Sequence, residues 1–147
     1  MNTNPESDVS KISRVFNAGS YEMNDVYDFI SEAVRADDND TASLKMTADE
    51  IFANIMSYAY EEDADKWVEL EIYPAGETVT MRFIDGGRPF DPISAPAPDT
   101  TLSAGEREIG GLGIYIALSV MDEVSYLRSG GRNILTTQKR IMPIRNR

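Results

Sequence analysis

A chain of 147 residues, 41% hydrophobic and 27% charged, carries enough apolar material for one domain with a sizeable core. Its net charge of −11 argues against nucleic-acid binding, which needs a basic face, and no apolar run reaches the length of a membrane span. With neither Cys nor His, the chain has no disulfide, no thiol nucleophile and no imidazole base. Acid–base chemistry then falls to carboxylates, and a metal would be a hard ion on oxygen ligands, such as Mg²⁺. The opening M-N-T-N-P-E-S-D shows no signal-peptide pattern, so a cytoplasmic chain is expected.

Residues 1–8 read as a flexible N-terminus ahead of a unit spanning 9–142, with 143–147 as a tail. Lys11 to Phe16 alternates as an edge strand. Ser20 is placed to cap a helix from about Tyr21 to Arg35, whose Met23, Val26, Tyr27, Ile30, Ala33 and Val34 keep the helical period. A-D-D-N-D-T breaks it and offers Asp40 or Thr41 as the next cap. The second helix runs from about Ala42 to Tyr60, with Leu44, Ala48, Ile51, Phe52, Ile55 and Ala59 as its buried stripe.

Glu50 and Asn54 lie one turn apart at the margin of that stripe, a carboxylate and a carboxamide able to reach a pocket together. T-A-D-E at Thr47–Glu50 also matches a capping box, in which Glu50 would be structural. Leu44 keeps the period back from Ala48, which starts the helix before Thr47. After the acidic break at Glu61, Trp67 to Tyr73 and Thr78 to Ile84 alternate around P-A-G-E as a β-hairpin. Its second strand ends at Asp85, either a pocket residue or a turn Asp before Gly86.

Between Asp91 and Gly110 neither helix nor strand periodicity holds, and Pro92, Pro96 and Pro98 disfavour a helix. A compact domain keeps such a stretch chiefly as a lid or as disorder. G-G-L-G-I at 110–114 then opens a helix, whose N-terminal N–H groups suit an anion; alone, this turn is a weak signal. Leu112 to Met121 is apolar almost all round and predicts a buried helix. Val124 to Leu127, the turn R-S-G-G-R-N and Ile134 to Ile141 form a closing hairpin. The order β-α-α-β-β-lid-α-β-β predicts an α+β, two-layer α/β sandwich with a ligand pocket between sheet and helices.

Three motifs stand in order: E-I-F-A-N-I-M-S-Y-A-Y (50–60), D-G-G-R-P-F-D-P (85–92) and G-G-L-G-I (110–114). Together they resemble the GHKL, or Bergerat-fold, ATP-binding domain, and most closely the bacterial anti-sigma factor serine/threonine kinases. The resemblance covers nearly the whole chain and implies a mixed, mostly antiparallel sheet with an ATP lid at about 91–110. It implies Glu50 as the general base that activates a substrate hydroxyl, and Asn54 as the Mg²⁺ ligand. Asp85 would accept the adenine amino group and Gly87 would let adenine lie against the backbone. Gly111 and Gly113 would wrap the phosphates, Thr136 would help hold adenine through water, and Arg107 would reach the terminal phosphate from the lid. Tyr58 stands where the family often has His.

The implied cofactors are ATP and Mg²⁺. The implied partners are a sigma factor, held inactive, and a STAS-type anti-anti-sigma protein, phosphorylated on Ser or Thr, with a homodimer as the expected assembly. Two other readings remain open from the sequence: a nucleotide-gated binding regulator without kinase activity, and the ATPase module of a larger sensor kinase, repair or topoisomerase machine.

Overall fold

The computed structural model describes residues 10–94 and 111–142. Most of the expected lid, Arg107, the 1–8 start and the 143–147 tail lie outside the described residues. The elements run β1 (Ile12–Asn17), α1 (Met23–Ala33), α2 (Asp38–Asn54), a π-helical turn (Ile55–Ala59), β2 (Trp67–Ala75), β3 (Thr78–Asp85), α3 (Gly111–Ser119), β4 (Glu123–Ser129) and β5 (Arg132–Arg140). The strands form one five-stranded sheet in the order β1-β2-β3-β5-β4. Every neighbouring pair is antiparallel, so the mixed sheet expected from the resemblance is corrected.

The sheet and the helices make the two layers. Val68, Leu70 and Ile72 of β2, Val79, Met81 and Phe83 of β3, and Leu135 of β5 face the helices and are buried. This is the alternation expected of a sheet covered on one side. Phe52 of α2 is the centre of the core. Its ring meets Phe16, Tyr21 and Phe83 edge-on at 5.6, 5.8 and 6.1 Å, the geometry that aligns ring edges with π faces.

Both helix starts differ from the sequence expectation. Ser20 does not cap α1, because its hydroxyl donates to the Asn17 carbonyl. The helix begins after Glu22, whose N–H donates to the Asp25 carboxylate at 2.8 Å. Asp37, rather than Asp40 or Thr41, caps α2: its carboxylate accepts the Asp40 N–H at 2.8 Å. Asp40 is free to accept the Met142 N–H at 2.7 Å, and Asp37 N–H donates to the Met142 carbonyl, which ties this helix start to the chain beyond β5. Thr47 lies inside α2 with its hydroxyl donating to the Ser43 carbonyl at 2.8 Å, so T-A-D-E is not a capping box.

The helix expected to be buried all round is one-sided. Ile114 and Ala117 of α3 pack inward, while Tyr115 and Ile116 are 52% and 45% exposed. Hydropathy alone does not choose a face when every position is apolar. Among the described residues no helix is long and apolar enough to cross a membrane.

Phe52→Ala removes the ring on which the helix and sheet layers meet. The expected cost is about 3–5 kcal/mol, read as a lower midpoint in denaturant unfolding.

Candidate functional site

The site is built where α2 ends against the end of β3. At Ile55–Ala59 the helix widens into a π turn, an irregularity that frequently accompanies functional sites. The widened turn presents two carbonyls to the loop after β3. Arg88 N–H donates to Ala59 O at 2.8 Å, and Arg88 Nε donates to Tyr58 O at 2.8 Å. Tyr60 adds a third tie, its hydroxyl accepting from Gly86 N–H at 2.8 Å and donating to Trp67 O at 2.6 Å.

Two glycines in this loop answer to close approach. A Cβ on Gly87 would stand 2.3 Å from Ala59 O, so only glycine lets the loop lie on the helix end. A Cβ on Gly86 would meet the Trp67 ring at 2.9 Å. That indole also carries the Arg132 guanidinium, 5.5 Å from the ring centroid. Tyr58 stacks on Phe90 with ring centroids 5.8 Å apart, which gives its place in the motif a packing role.

Asp85 closes β3 and is 2% exposed. Its Oδ1 accepts from Gly87 N–H at 2.9 Å and from Asn133 Nδ2 at 2.9 Å. Its Oδ2 has no hydrogen-bond partner among the described residues. Burial pushes this carboxyl above the ordinary value of 3.8, opposed by the Asn133 and Gly87 hydrogen bonds and by the Arg128 guanidinium. A carboxylate with one oxygen saturated and the other open is an acceptor with a single direction.

Asp85 lines a narrow cleft with Ile51 and Asn54 of α2, Phe90, Pro92, Ile114 of α3, and Tyr126, Asn133 and Leu135 of the last hairpin. The space holds about one water molecule. Asn54 is 6% exposed, and its Nδ2 points back to Glu50 O at 3.4 Å, leaving Oδ1 without a protein partner among the described residues. Glu50 lies one turn earlier, its carboxylate against the start of α3. A Cβ on Gly113 would stand 2.3 Å from Glu50 Oε2. Gly111 is the first residue of α3, whose first turn leaves N–H groups without helical acceptors.

The structure thus brings Glu50 to Gly113 and gathers Asn54, Asp85 and Gly87 around the end of β3. Thr136 does not join them. Asp85 pairs with Asn133 and Arg82 with Thr136, and successive residues face opposite sides, so Thr136 sits on the sheet's outer face. The residue beside Asp85 is Asn133, which the sequence reading assigned to a turn. Gly130 and Gly131, with φ of 58° and 76°, make the whole turn. A two-residue Gly-Gly hairpin signal would have placed Asn133 in β5, on the strand face opposite to Thr136.

Asn133 is 3% exposed and saturated. Its Nδ2 donates to Asp85 Oδ1 and, at 2.7 Å, to Arg88 O. Its Oδ1 accepts from Phe90 N–H at 3.2 Å, from Arg128 Nη1 at 3.2 Å and from the Tyr126 hydroxyl in a short bond. Arg128 Nη1 also donates to Gly87 O at 2.7 Å.

Residues 21–139 match the family model for a histidine kinase-like ATPase domain. A serine/threonine-protein kinase of Bordetella bronchiseptica, BtrW, is 29% identical over 101 residues, covering 69% of this chain and 71% of that protein.

Three substitutions test this geometry. Because burial raises the Asp85 pKa above its unfolded value, the folded state prefers the protonated carboxyl. That contribution is complete below about pH 3.8 and is lost as pH rises through the raised value. Asp85→Asn, which keeps an acceptor for Gly87 and Asn133, should therefore melt at or above the parent temperature at pH 7. The difference should shrink on acidification. Gly87→Ala drives a methyl into the Ala59 carbonyl, with an expected cost of about 1–3 kcal/mol. Gly113→Ala displaces only the end of the Glu50 side chain, so its melting temperature should change less than that of Gly87→Ala.

Proposed function

This chain belongs to the histidine kinase-like ATPase family, and from that membership we propose that it is an ATP-dependent protein serine/threonine kinase that also acts as an anti-sigma factor. In this reading it holds a sigma factor inactive. It releases that factor through a STAS-type anti-anti-sigma protein, which it phosphorylates on Ser or Thr, and it works as a homodimer in the cytoplasm. The likeness to a serine/threonine-protein kinase of Bordetella bronchiseptica supports the reaction. The observation that carries the reading is the seating of the Glu50 carboxylate against Gly113, one helical turn from Asn54.

In the proposed complex, adenine lies on the Asp85–Gly87 loop. Its amino group donates to Asp85 Oδ2, the oxygen without a protein partner. Gly87 keeps the loop flat, because a side chain there would lift it off the π turn. The phosphates run toward Gly111 and Gly113, where unsatisfied N–H groups meet negative charge. Arg107 is assigned to the terminal phosphate on the resemblance alone.

No cluster of three carboxylates among the described residues offers a protein-made metal cage. A single carboxamide oxygen from Asn54 fits a Mg²⁺ ion whose remaining ligands are phosphate and water. When bound, Mg²⁺ would neutralise charge on the phosphates. Glu50 accepts the proton of the incoming Ser or Thr hydroxyl and orients its oxygen toward the γ-phosphorus. The P–O bond to ADP breaks as the new P–O bond forms.

Mg-ATP at 100-fold its Kd should add about 2.7 kcal/mol of stability, or roughly 5–11 °C in melting temperature at this size. Asp85→Asn should remove that shift. Glu50→Gln should keep the shift and lower transfer of labelled γ-phosphate to a STAS substrate by about 10²–10⁴-fold. Equal loss of shift and transfer in Glu50→Gln would contradict the role given to this carboxylate.

A further inference from the structure

Asn133 and Arg128 belong to the last hairpin, yet Asn133 hydrogen-bonds the buried carboxylate of the cleft and Arg128 hydrogen-bonds Asn133. Asp85 Oδ1 already has two donors, Gly87 N–H and Asn133 Nδ2, both at 2.9 Å. With that oxygen fixed, the carboxylate plane is fixed, and Oδ2 keeps one direction. Asn133 is fixed in turn by five hydrogen bonds reaching β3, the loop at Arg88 and Phe90, and β4. Arg128 Nη1 joins the Gly87 carbonyl to the Asn133 carboxamide oxygen. Its positive charge opposes the effect of burial on Asp85.

We propose that Asn133 and Arg128 are positioning residues that set base selectivity, by holding Asp85 as an oriented acceptor that takes a 6-amino purine and rejects a 6-oxo purine. The inference rests on the reading that Asp85 binds the base, and it goes further by assigning the selectivity to the last β-hairpin. The chemistry is a donor–acceptor rule. An ionised carboxylate only accepts, so it pairs with an exocyclic amino group and repels an exocyclic oxygen. A protonated carboxyl presents an O–H, which pairs with the 6-oxo group instead, and a rotated carboxylate loses its aim at the amino group. Removing the Arg128 charge or the Asn133 donor moves Asp85 toward that second state. A site built around a buried hydrogen bond discriminates strongly, because the wrong ligand leaves a buried group unpaired.

The test is calorimetric titration with ATP and with inosine triphosphate, which differs from ATP only in carrying a 6-oxo group and an N1 hydrogen in place of the amino pattern. The full chain, Asn133→Ala, Arg128→Met and Arg128→Lys are each measured. The parent chain should favour ATP. Asn133→Ala and Arg128→Met should each narrow the ATP-to-inosine-triphosphate affinity ratio by roughly 10–100-fold, with the loss falling on ATP. Arg128→Lys, which restores the charge without the fork, should recover part of the ratio. Arg128 is partly exposed, so its variants give the result even if Asn133→Ala does not fold. A ratio unchanged in both Arg128 variants, or an equal loss of both nucleotides, would overturn the inference. A parent chain without any preference would instead overturn the placement of the base on Asp85.

Discussion

A buried carboxylate at the end of a central strand governs this molecule. Asp85 is placed out of water by the same alternation that buries Val79, Met81 and Phe83. An ion there is costly unless several dipoles surround it. The chain supplies them from three places: the Gly87 amide, the Asn133 carboxamide and the Arg128 charge. Remove the need to keep that charge in place, and the π turn, the flat glycine loop and the tight Gly-Gly hairpin lose their common purpose. The hairpin matters because its two-residue turn sets Arg128 opposite Asn133, while the pairing of β5 with β3 sets Asn133 opposite Asp85.

Helix α2 does two jobs that are normally separate. Phe52 and Ile51 fill the core, while Glu50 and Asn54, on the neighbouring face, reach the site. The polar pair is therefore carried on the stiffest part of the fold, where packing on one side of the helix fixes its rotation and so fixes both side chains. Attachment of the helix start to Met142, through Asp37 and Asp40, locks the same element at its other end. The final strand and the residues just after it thus constrain both ends of the site-bearing helix layer: its start through Met142 and its end through Asn133 and Arg88.

Much of this was legible in the sequence, for identifiable reasons. The element order followed from period-two and period-3.6 patterns that were long and unambiguous, as in β2, β3 and α2. The placement of α2 before Thr47 followed from Leu44 keeping phase. Helix caps were less legible, because the region holds several Asp residues and a Ser, and a local turn at Asn17 and a long-range tie to Met142 choose among them. The face of α3 was illegible because Tyr115 and Ile116 are as apolar as their buried neighbours. Thr136 was assigned on the resemblance, and β5 could not check that assignment, because Ile134 and Leu135 are both apolar and show no alternation to say which side faces the helices. Asn133 went unnoticed because Asn so near Gly-Gly reads as turn chemistry, and three of its five partners are distant in sequence.

The indole of Trp67 lies close to both Gly86 and the Arg132 guanidinium, the neighbours in sequence of Asp85 and Asn133. It is also the only tryptophan in the chain. Its emission therefore reports on a single locus, the junction of the base-reading loop with the closing hairpin. The native optical spectrum of this protein is already a site-specific signal, and no label need be introduced to watch that junction in real time.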